Sequence, residues 1–591
     1  MKAFPIKHQN KLATVILFII NLLWFLKFKF HTLMGDDLYT WNVVHNYKEG
    51  FLQYTLFETL FGKYRPIYNL IQYFVITTFD MEYRLYFFLN ILVNFVAVLI
   101  MYRLLLMLTK NAIISFLFSV IFITCRFSYY NILQVYGLME AVALILFLLM
   151  LFISILFYKN SSKINIFLIL LIETLMVFTH ERYIVVVPFL LILFFLTLSK
   201  PKRIYTVIPL VPVILNFAIK KIVVNTSFLE GTGGASISFD IAKISIFLIC
   251  GLLNMVGINV GAPYLNGINF TQESTITQIL SVIILLINLL LLVFLIKQSK
   301  GSLENKKKLI VVGIALILIL SLLLAASITI RQEYRWLFAP YAVFLLVTAF
   351  VFQQLKIVQS IKYVLIVLLC VIVFRNDMYY KLYLDRVYFI DALKIADSTY
   401  DATIKKYGSN IKNSKIYIEK DPSLVWTLQN DLFFKVNADE PNLKTNFVDN
   451  LSEIDLSQES LLLLKFNNLT RQMEDVTNEF VLDPKDRGPQ IILPEEWATP
   501  DKGYTKTTVY GQTLYYKVVR KVYKNNSISM LRLDNDTVLS LSQNVVDNAS
   551  LGNLEPNKFA YYSIDSETGF LWISVPTDSK INWKAEIQRG N

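Results

Sequence analysis

Asp36 and Asp37 stand side by side in His31-Thr-Leu-Met-Gly-Asp-Asp-Leu-Tyr39, directly after the first apolar run, and Tyr64-Arg65-Pro66 leads into the next one. An acid pair followed by a permanent cation at the edge of membrane-grade sequence can take a proton from a hydroxyl and hold an anion beside it. In an extended segment, neighbouring side chains point to opposite sides. One carboxylate can then enter a cavity while the other binds backbone or a cation. The competing reading is a helix start, because Gly-Asp-Asp before Leu-Tyr-Thr-Trp is good capping chemistry. Arg65 offers a bidentate fork for phosphate, and Pro66 suits a first helical position. The competing reading is an interfacial anchor, with Tyr64 and Arg65 at headgroup level.

Two tight turns carry the remaining candidates. Thr179-His180-Glu181-Arg182-Tyr183 lies between two apolar runs with almost no loop to hold it. Ionisable groups at such a depth are costly and are functional or paired; a self-satisfied Glu181–Arg182 turn is the alternative. His180-Glu181 is not a zinc-binding HExxH helix, because position 184 is Ile. Arg331-Gln-Glu333-Tyr334-Arg335, followed by Pro340, is equally dense in charge; snorkelling at the interface is its alternative. Glu230, Asp240 and the glycines at 231, 233 and 234 fit a flexible loop better than a phosphate cradle.

The elements that must position these residues are membrane helices. The chain has 591 residues, 55% hydrophobic and 17% charged, with mean hydropathy +0.52, and several of its apolar runs reach the roughly 20 residues a bilayer requires. Cys125, Cys250 and Cys370 sit in or beside apolar runs and outline neither a disulfide framework nor a zinc site. With four histidines in the whole chain, a histidine-rich metal centre is not expected. The formal charge of +12 fits basic cytoplasmic loops, so no nucleic-acid partner is needed.

Expected spans are Leu12–Phe28, Leu85–Leu108, Ala112–Thr124, Met139–Tyr158, Ile164–Thr179, Ile184–Leu198, Ile204–Val224, Ile276–Ile296, Leu309–Ile330, Trp336–Leu355 and Ile361–Phe374. With the N-terminus inside, the lysine-rich connections Thr109–Asn111, Lys159–Lys163, Ser199–Arg203, Lys297–Lys308 and Lys356–Lys362 all fall inside. Counting Ile241–Val256 as a span would move Lys297–Lys308 outside, so that stretch is expected to be re-entrant or interfacial. Ile67–Phe79 is also set aside as short. Lys27 and Lys29 break the pattern and are expected to snorkel. The first span, lacking a small-residue cleavage site, reads as a retained signal-anchor. This arrangement of about eleven helices puts every candidate loop on the outer face of the cell membrane. Residues 1–375 form the transmembrane catalytic domain. Residues 376–591 form an extracytoplasmic α/β or β-rich domain, with a helix over Asp385–Lys406. Strand-like runs follow at Lys415–Glu419, Leu432–Val436, Leu461–Phe466, Thr513–Val519, Ile528–Leu533 and Phe570–Val575, and a hairpin turns at Gly511.

In order and spacing, Asp36/Asp37, Arg65-Pro66, His180-Glu181-Arg182 and Arg331 to Pro340 resemble the GT-C superfamily of membrane glycosyltransferases. That group includes protein O-mannosyltransferases and the aminoarabinose transferases of lipid A. The resemblance covers roughly residues 10–375. It departs from the family at Arg65-Pro66-Ile67, where many members have Lys-Pro or Pro-Pro. It implies a sugar donor on a polyprenyl monophosphate, drawn from membrane lipid, and an extracytoplasmic glycan, lipid or protein acceptor. Transfer would invert the anomeric centre. Asp36, with Asp37 as the other candidate, would be the base. Arg65, Arg182, Arg331 and Arg335 would hold the phosphate, supported by His180, Glu181, Glu333 and Tyr334. Whether Glu181, His180 or the second aspartate holds a divalent cation or orients an arginine is left open. Trp426, Tyr515, Tyr516 and Trp572 of the C-terminal region are available to stack on sugars. Rival readings are a transporter or flippase, a polymerase or ligase of envelope glycan using a diphosphate-linked donor, and a scaffold.

Overall fold

The computed structural model describes residues 6–59, 63–223, 225, 239–260, 269–299, 303–328, 333–354 and 359–449. Beyond these it describes residues 451, 454, 460–467 and 470–477, and short strand segments up to residue 589. The chain divides into two compact units, Met1–Leu393 and Lys394–Asn591. It stays with the helical unit past Phe374 because the last long helix runs on to Tyr383, and Phe389 packs on Tyr130 with ring centres 5.5 Å apart.

The described residues of the first unit form helices and the turns that join them. In chain order its helices are α1 (Ile6–Phe25), α2 (Gly35–His45), α3 (Phe51–Phe57), α4 (Pro66–Phe79), α5 (Tyr83–Thr109), α6 (Ala112–Thr124), α7 (Tyr129–Leu133) and α8 (Gly137–Lys159). They continue with α9 (Lys163–Thr179), α10 (Val187–Thr197), α11 (Leu210–Val223), α12 (Ile241–Met255), α13 (Thr275–Ser299), α14 (Leu303–Ile328), α15 (Tyr334–Gln354) and α16 (Gln359–Tyr383). Among the described residues six helical stretches are long and apolar enough to cross a membrane: Tyr83–Thr109, Gly137–Lys159, Lys200–Val223, Thr275–Lys297, Lys306–Ile328 and Tyr334–Gln354. A seventh is added if α6 and the segment Arg126–Leu133, bent by 53° at their junction, form one span. This is the helix set of a polytopic membrane protein. The 15-residue α12 and 14-residue α4 rise only about 21–23 Å at 1.5 Å per residue, short of a hydrocarbon core of about 30 Å.

Local chemistry sets the helix ends. The Asn111 side chain accepts from the Ile113 and Ile114 amides, and the Ser162 hydroxyl from that of Asn165, satisfying first-turn donors. Pro66 takes the first position of α4, where its missing N–H costs nothing. The core lies where α8 packs between α5 and α9, and where α15 packs on α14 and α5. Inside it, the Asn94 amide donates to Asn21 Oδ1 at 2.7 Å, and Asn21 in turn to the Ile91 carbonyl at 3.0 Å. These bonds tie α1 to α5 with both polar side chains satisfied. The Lys27 ammonium sits 3.6 Å from the Trp24 ring centre and 2.9 Å from that of Tyr380, a cation–π pocket between the end of α1 and α16.

In the second unit, α17 (Tyr388–Ala402, which begins in the first unit) and α18 (Ile404–Tyr407) replace the single helix expected over Asp385–Lys406. Then come β1 (Lys415–Glu419), α19 (Pro422–Leu428), α20 (Leu432–Asn437), β2 (Thr445–Val448), β3 (Leu461–Asn467) and β4 (Gln472–Asp475). They form a sheet of order β2-β1-β3-β4, parallel except for β4. The strand expected over Leu432–Val436 is helix α20. Phe433 and Phe434 are adjacent and both fully buried, which a half-buried strand of period two cannot arrange. Farther on, Tyr504–Val509 pairs antiparallel with Gln512–Tyr516, Val509 opposite Gln512; Gly511 lies outside the described residues. The strands expected near 528–533 and 570–575 are present as Leu531–Leu533 and Leu571–Ser574.

Candidate functional site

Asp36 and Asp37 lie in the first turn of α2, not in an extended loop. Their side chains are therefore about 100° apart around a helix axis. The helix starts at Gly35, whose φ of 51° is reached without strain by a residue lacking Cβ; the Met34 cap makes no side-chain bond. Asp37 is buried. Its Oδ2 accepts the Val135 amide at 2.9 Å and its Oδ1 the Tyr136 amide at 2.7 Å. Burial pushes the Asp37 carboxyl up to about 7, against the pull of those two amides. Asp36 is half-buried and bears electrostatically on Asp37, Tyr130 and Tyr136.

The strip that Asp37 grips is held from its other side by α5. Tyr83 Oη donates to the Leu133 carbonyl at 2.6 Å, and the Asn90 amide to the carbonyls of Ile132 and Gln134 at 3.2 and 2.8 Å. Gly137 follows, so close to the Tyr130 carbonyl that a Cβ would overlap it. This clamp aims Tyr136 into the cluster. Tyr136 Oη accepts from Arg65 Nη1 at 3.0 Å, and the charges that act on its phenol come from Arg65, Arg335, Glu181 and Asp36. Charges on four segments remote in sequence thus act on one tyrosine, and one of them, Arg65, bonds it directly.

Each arginine in this cluster has a glutamate. Arg65 meets Glu181 through two bonds of 2.7 Å, from Nε and Nη2, a bidentate pair. Arg182 Nη2 lies 2.5 Å from Glu140 Oε2, and Arg335 Nε lies 2.6 Å from Glu333 and 3.9 Å from Glu140. The Arg335 guanidinium also covers the Tyr130 ring at 4.1 Å. His180 Nδ1 accepts the Arg182 amide at 3.3 Å, so the neutral ring carries its proton on Nε2, 3.3 Å from Glu140 Oε1. Burial, reinforced by Arg65 and Arg182 and opposed by Glu140, holds His180 down at about 4. Against the upward push of burial, the bidentate Arg65 guanidinium holds Glu181 well below the carboxylate range.

A second cationic group adjoins the first through Tyr334, next to Arg335. The Arg126 guanidinium lies 4.7 Å from the Tyr334 ring centre and 4.9 Å from that of Tyr379, and it also bonds Asn254. Arg375 donates to Ser281 Oγ and the Gly257 carbonyl, each at 2.7 Å, and lies 3.6 Å from Glu273. Both arginines line one small cavity of about 40 Å³, which Ile284, Phe344 and Phe352 close on the apolar side. Among the described residues one carboxylate, Glu273, lies by the two guanidiniums here, whereas each arginine of the first cluster has a glutamate.

Of the residues expected from sequence, Asp36, Asp37, Arg65, His180, Glu181, Arg182, Glu333, Tyr334 and Arg335 all lie in or beside these two groups. Arg331 lies outside the described residues. Glu140, Tyr136, Arg126, Glu273 and Arg375 are additions. Glu140 was detectable as a lone acid opening an otherwise apolar span; Arg126 and Arg375 look like ordinary boundary charges at span ends. Among the described residues no group of three His, Cys, Asp or Glu side chains is placed to hold a metal ion. No protein-family model and no curated protein matches this chain.

Proposed function

We propose that this protein is a membrane glycosyltransferase of GT-C type, moving a sugar from a polyprenyl monophosphate to an extracytoplasmic glycan, lipid or protein acceptor. The observation that carries the reading is the buried cluster at Tyr136, where Arg65 bonds both Tyr136 Oη and Glu181, and Arg182 and Arg335 meet Glu140 and Glu333. Buried charge of this density is costly to build, and a scaffold has no use for it.

In this reading the Asp36 carboxylate takes the proton of the acceptor hydroxyl as its oxygen forms a bond to the anomeric carbon. The bond from that carbon to the phosphate oxygen breaks, and the lipid phosphate leaves with the electron pair. Asp37, committed to two backbone amides, positions Tyr136 and α2 rather than reacting. Arg65 and Arg182 are matched one to one by Glu181 and Glu140, so they act best as the frame. We assign the leaving phosphate to the side where cations exceed carboxylates, Arg126 and Arg375. Loss of one such contact should cost about 3 kcal/mol of barrier.

The test feeds purified full-length protein in nanodiscs a series of radiolabelled polyprenyl-phosphate sugars with envelope extracts as acceptor. Release of lipid phosphate that depends on acceptor and is lost in Asp36→Asn is expected. No release from any such donor, with release from a diphosphate-linked one, favours the polymerase or ligase reading.

A further inference from the structure

We infer a site for an anionic glycerophospholipid at the opposite end of the helical unit, independent of the glycosyltransferase reading. Between α5, α8, α10, α14 and α15 lies a cavity of about 380 Å³, within the size range of ligand sites and many times the share of one water. Its wall is almost wholly apolar, with Leu193, Leu318 and Phe350 among its side chains. Its cationic members, Lys110 and Lys159, stand at the last turn of α5 and of α8. Neither makes an ion pair among the described residues, and both ammonium-bearing side chains are exposed. Among the described residues no carboxylate lines the cavity. α14 enters this cavity one turn after the run Lys306-Lys307-Lys308.

Position along α8 fixes the level in the bilayer. Glu140, in the arginine cluster, and Lys159 are 19 residues apart, so they lie about 28 Å apart along the axis, nearly the hydrocarbon thickness. The lysines are therefore at headgroup depth in the leaflet opposite the candidate catalytic site. By the charge bias of the loops, that is the cytoplasmic leaflet.

Ser154 distinguishes among anionic lipids. It lines the same cavity, is 3% exposed, and its Oγ has no hydrogen-bond partner. It sits five residues before Lys159, about 8 Å deeper along the helix. A buried hydroxyl without a partner is costly. An acyl-ester carbonyl just below a phosphate held by Lys110 and Lys159 would accept from it, while one acyl chain fills the apolar space. A polyprenyl phosphate has the phosphate but no ester at that depth, and free phosphate has neither chain nor ester.

Native mass spectrometry of the delipidated full-length protein tests this, with phosphatidylglycerol, phosphatidylcholine, a polyprenyl monophosphate and inorganic phosphate added singly. Phosphatidylglycerol should be retained at least fivefold more than phosphatidylcholine or the polyprenyl phosphate, and inorganic phosphate should not displace it. Lys110→Gln/Lys159→Gln should remove that preference, and Ser154→Ala should weaken retention of both ester lipids. Ala315→Trp, which fills the cavity, should abolish retention; the two lysine changes, at exposed positions, keep the test valid if this variant fails to fold. Equal retention of neutral and anionic lipid, an unchanged preference in the lysine variant, or tighter retention of the polyprenyl phosphate would overturn the site.

Discussion

At the scale of single residues, two neighbouring aspartates have separate work. Asp37 spends both oxygens on the amides of 135 and 136, which leaves Asp36 as the candidate base. Asp36→Asn is expected to insert normally and lower sugar transfer about 10²–10⁴-fold. Asp37→Asn keeps one acceptor for two amides and is expected to cost about 1–3 kcal/mol in stability, read as a fall in thermal midpoint in detergent. Full transfer in both single variants would remove the base assignment. Protonation gives a second check. The Asp37 carboxyl near 7, against about 4 when unfolded, means the native state holds that proton more tightly. Its contribution to stability is full below pH about 4 and is lost as pH rises through 7. His180, near 4 against about 6.5 unfolded, has the opposite sign: its contribution is full above pH about 6.5 and is lost as pH falls through 4. The midpoint of the wild type relative to Asp37→Asn should therefore decline between pH 4 and 7. Relative to His180→Gln it should rise over pH 4–6.5. A flat difference in either series removes that residue's assigned environment.

At the scale of elements, the junction between α7 and α8 is the part on which the site depends. Gly137 packs against the Tyr130 carbonyl, a backbone atom that cannot swing aside. Gly137→Ala is expected to cost about 1–3 kcal/mol and to displace Tyr136, so it should impair stability and transfer together. The Arg65–Glu181 pair joins the start of α4 to the turn after α9. Arg65→Met alone leaves a carboxylate without its cation and is expected to cost about 3 kcal/mol; Glu181, with its side chain 31% exposed, recovers some solvation. The double variant Arg65→Met/Glu181→Leu should regain much of that loss, and a double-mutant cycle on thermal midpoints reads the coupling. Additive losses would show that the two residues do not act as a pair. Arg126→Gln and Arg375→Gln should behave differently, lowering turnover with donor more than stability, if the positive excess beside Tyr334 meets the leaving phosphate.

At the scale of the whole molecule, the sequence by itself determined that this is a polytopic helical membrane protein. The reason is that a bilayer requires long apolar helices whatever their packing, and such runs can be counted along a single chain. It also isolated the short charged turns between them, because ionisable residues with no loop to carry them to water stand out against apolar neighbours. Eleven spans are expected from the apolar runs, and among the described residues six or seven helical stretches are long and apolar enough to be one; the outward-facing orientation of the charged turns rests on loop charge. Cysteine labelling at positions 36 and 110 in intact cells should find opposite sides of the membrane, and labelling both from one side would refute that orientation. What only the tertiary structure decided is which charges neutralise which. Glu140 and Arg182 are 42 positions apart and Arg65 and Glu181 are 116 apart, and no periodicity within one helix connects residues so distant. The same holds for Asp37, whose partners are amides nearly 100 residues away: its type announces an acid, but burial and two backbone donors on another segment make it a structural clamp.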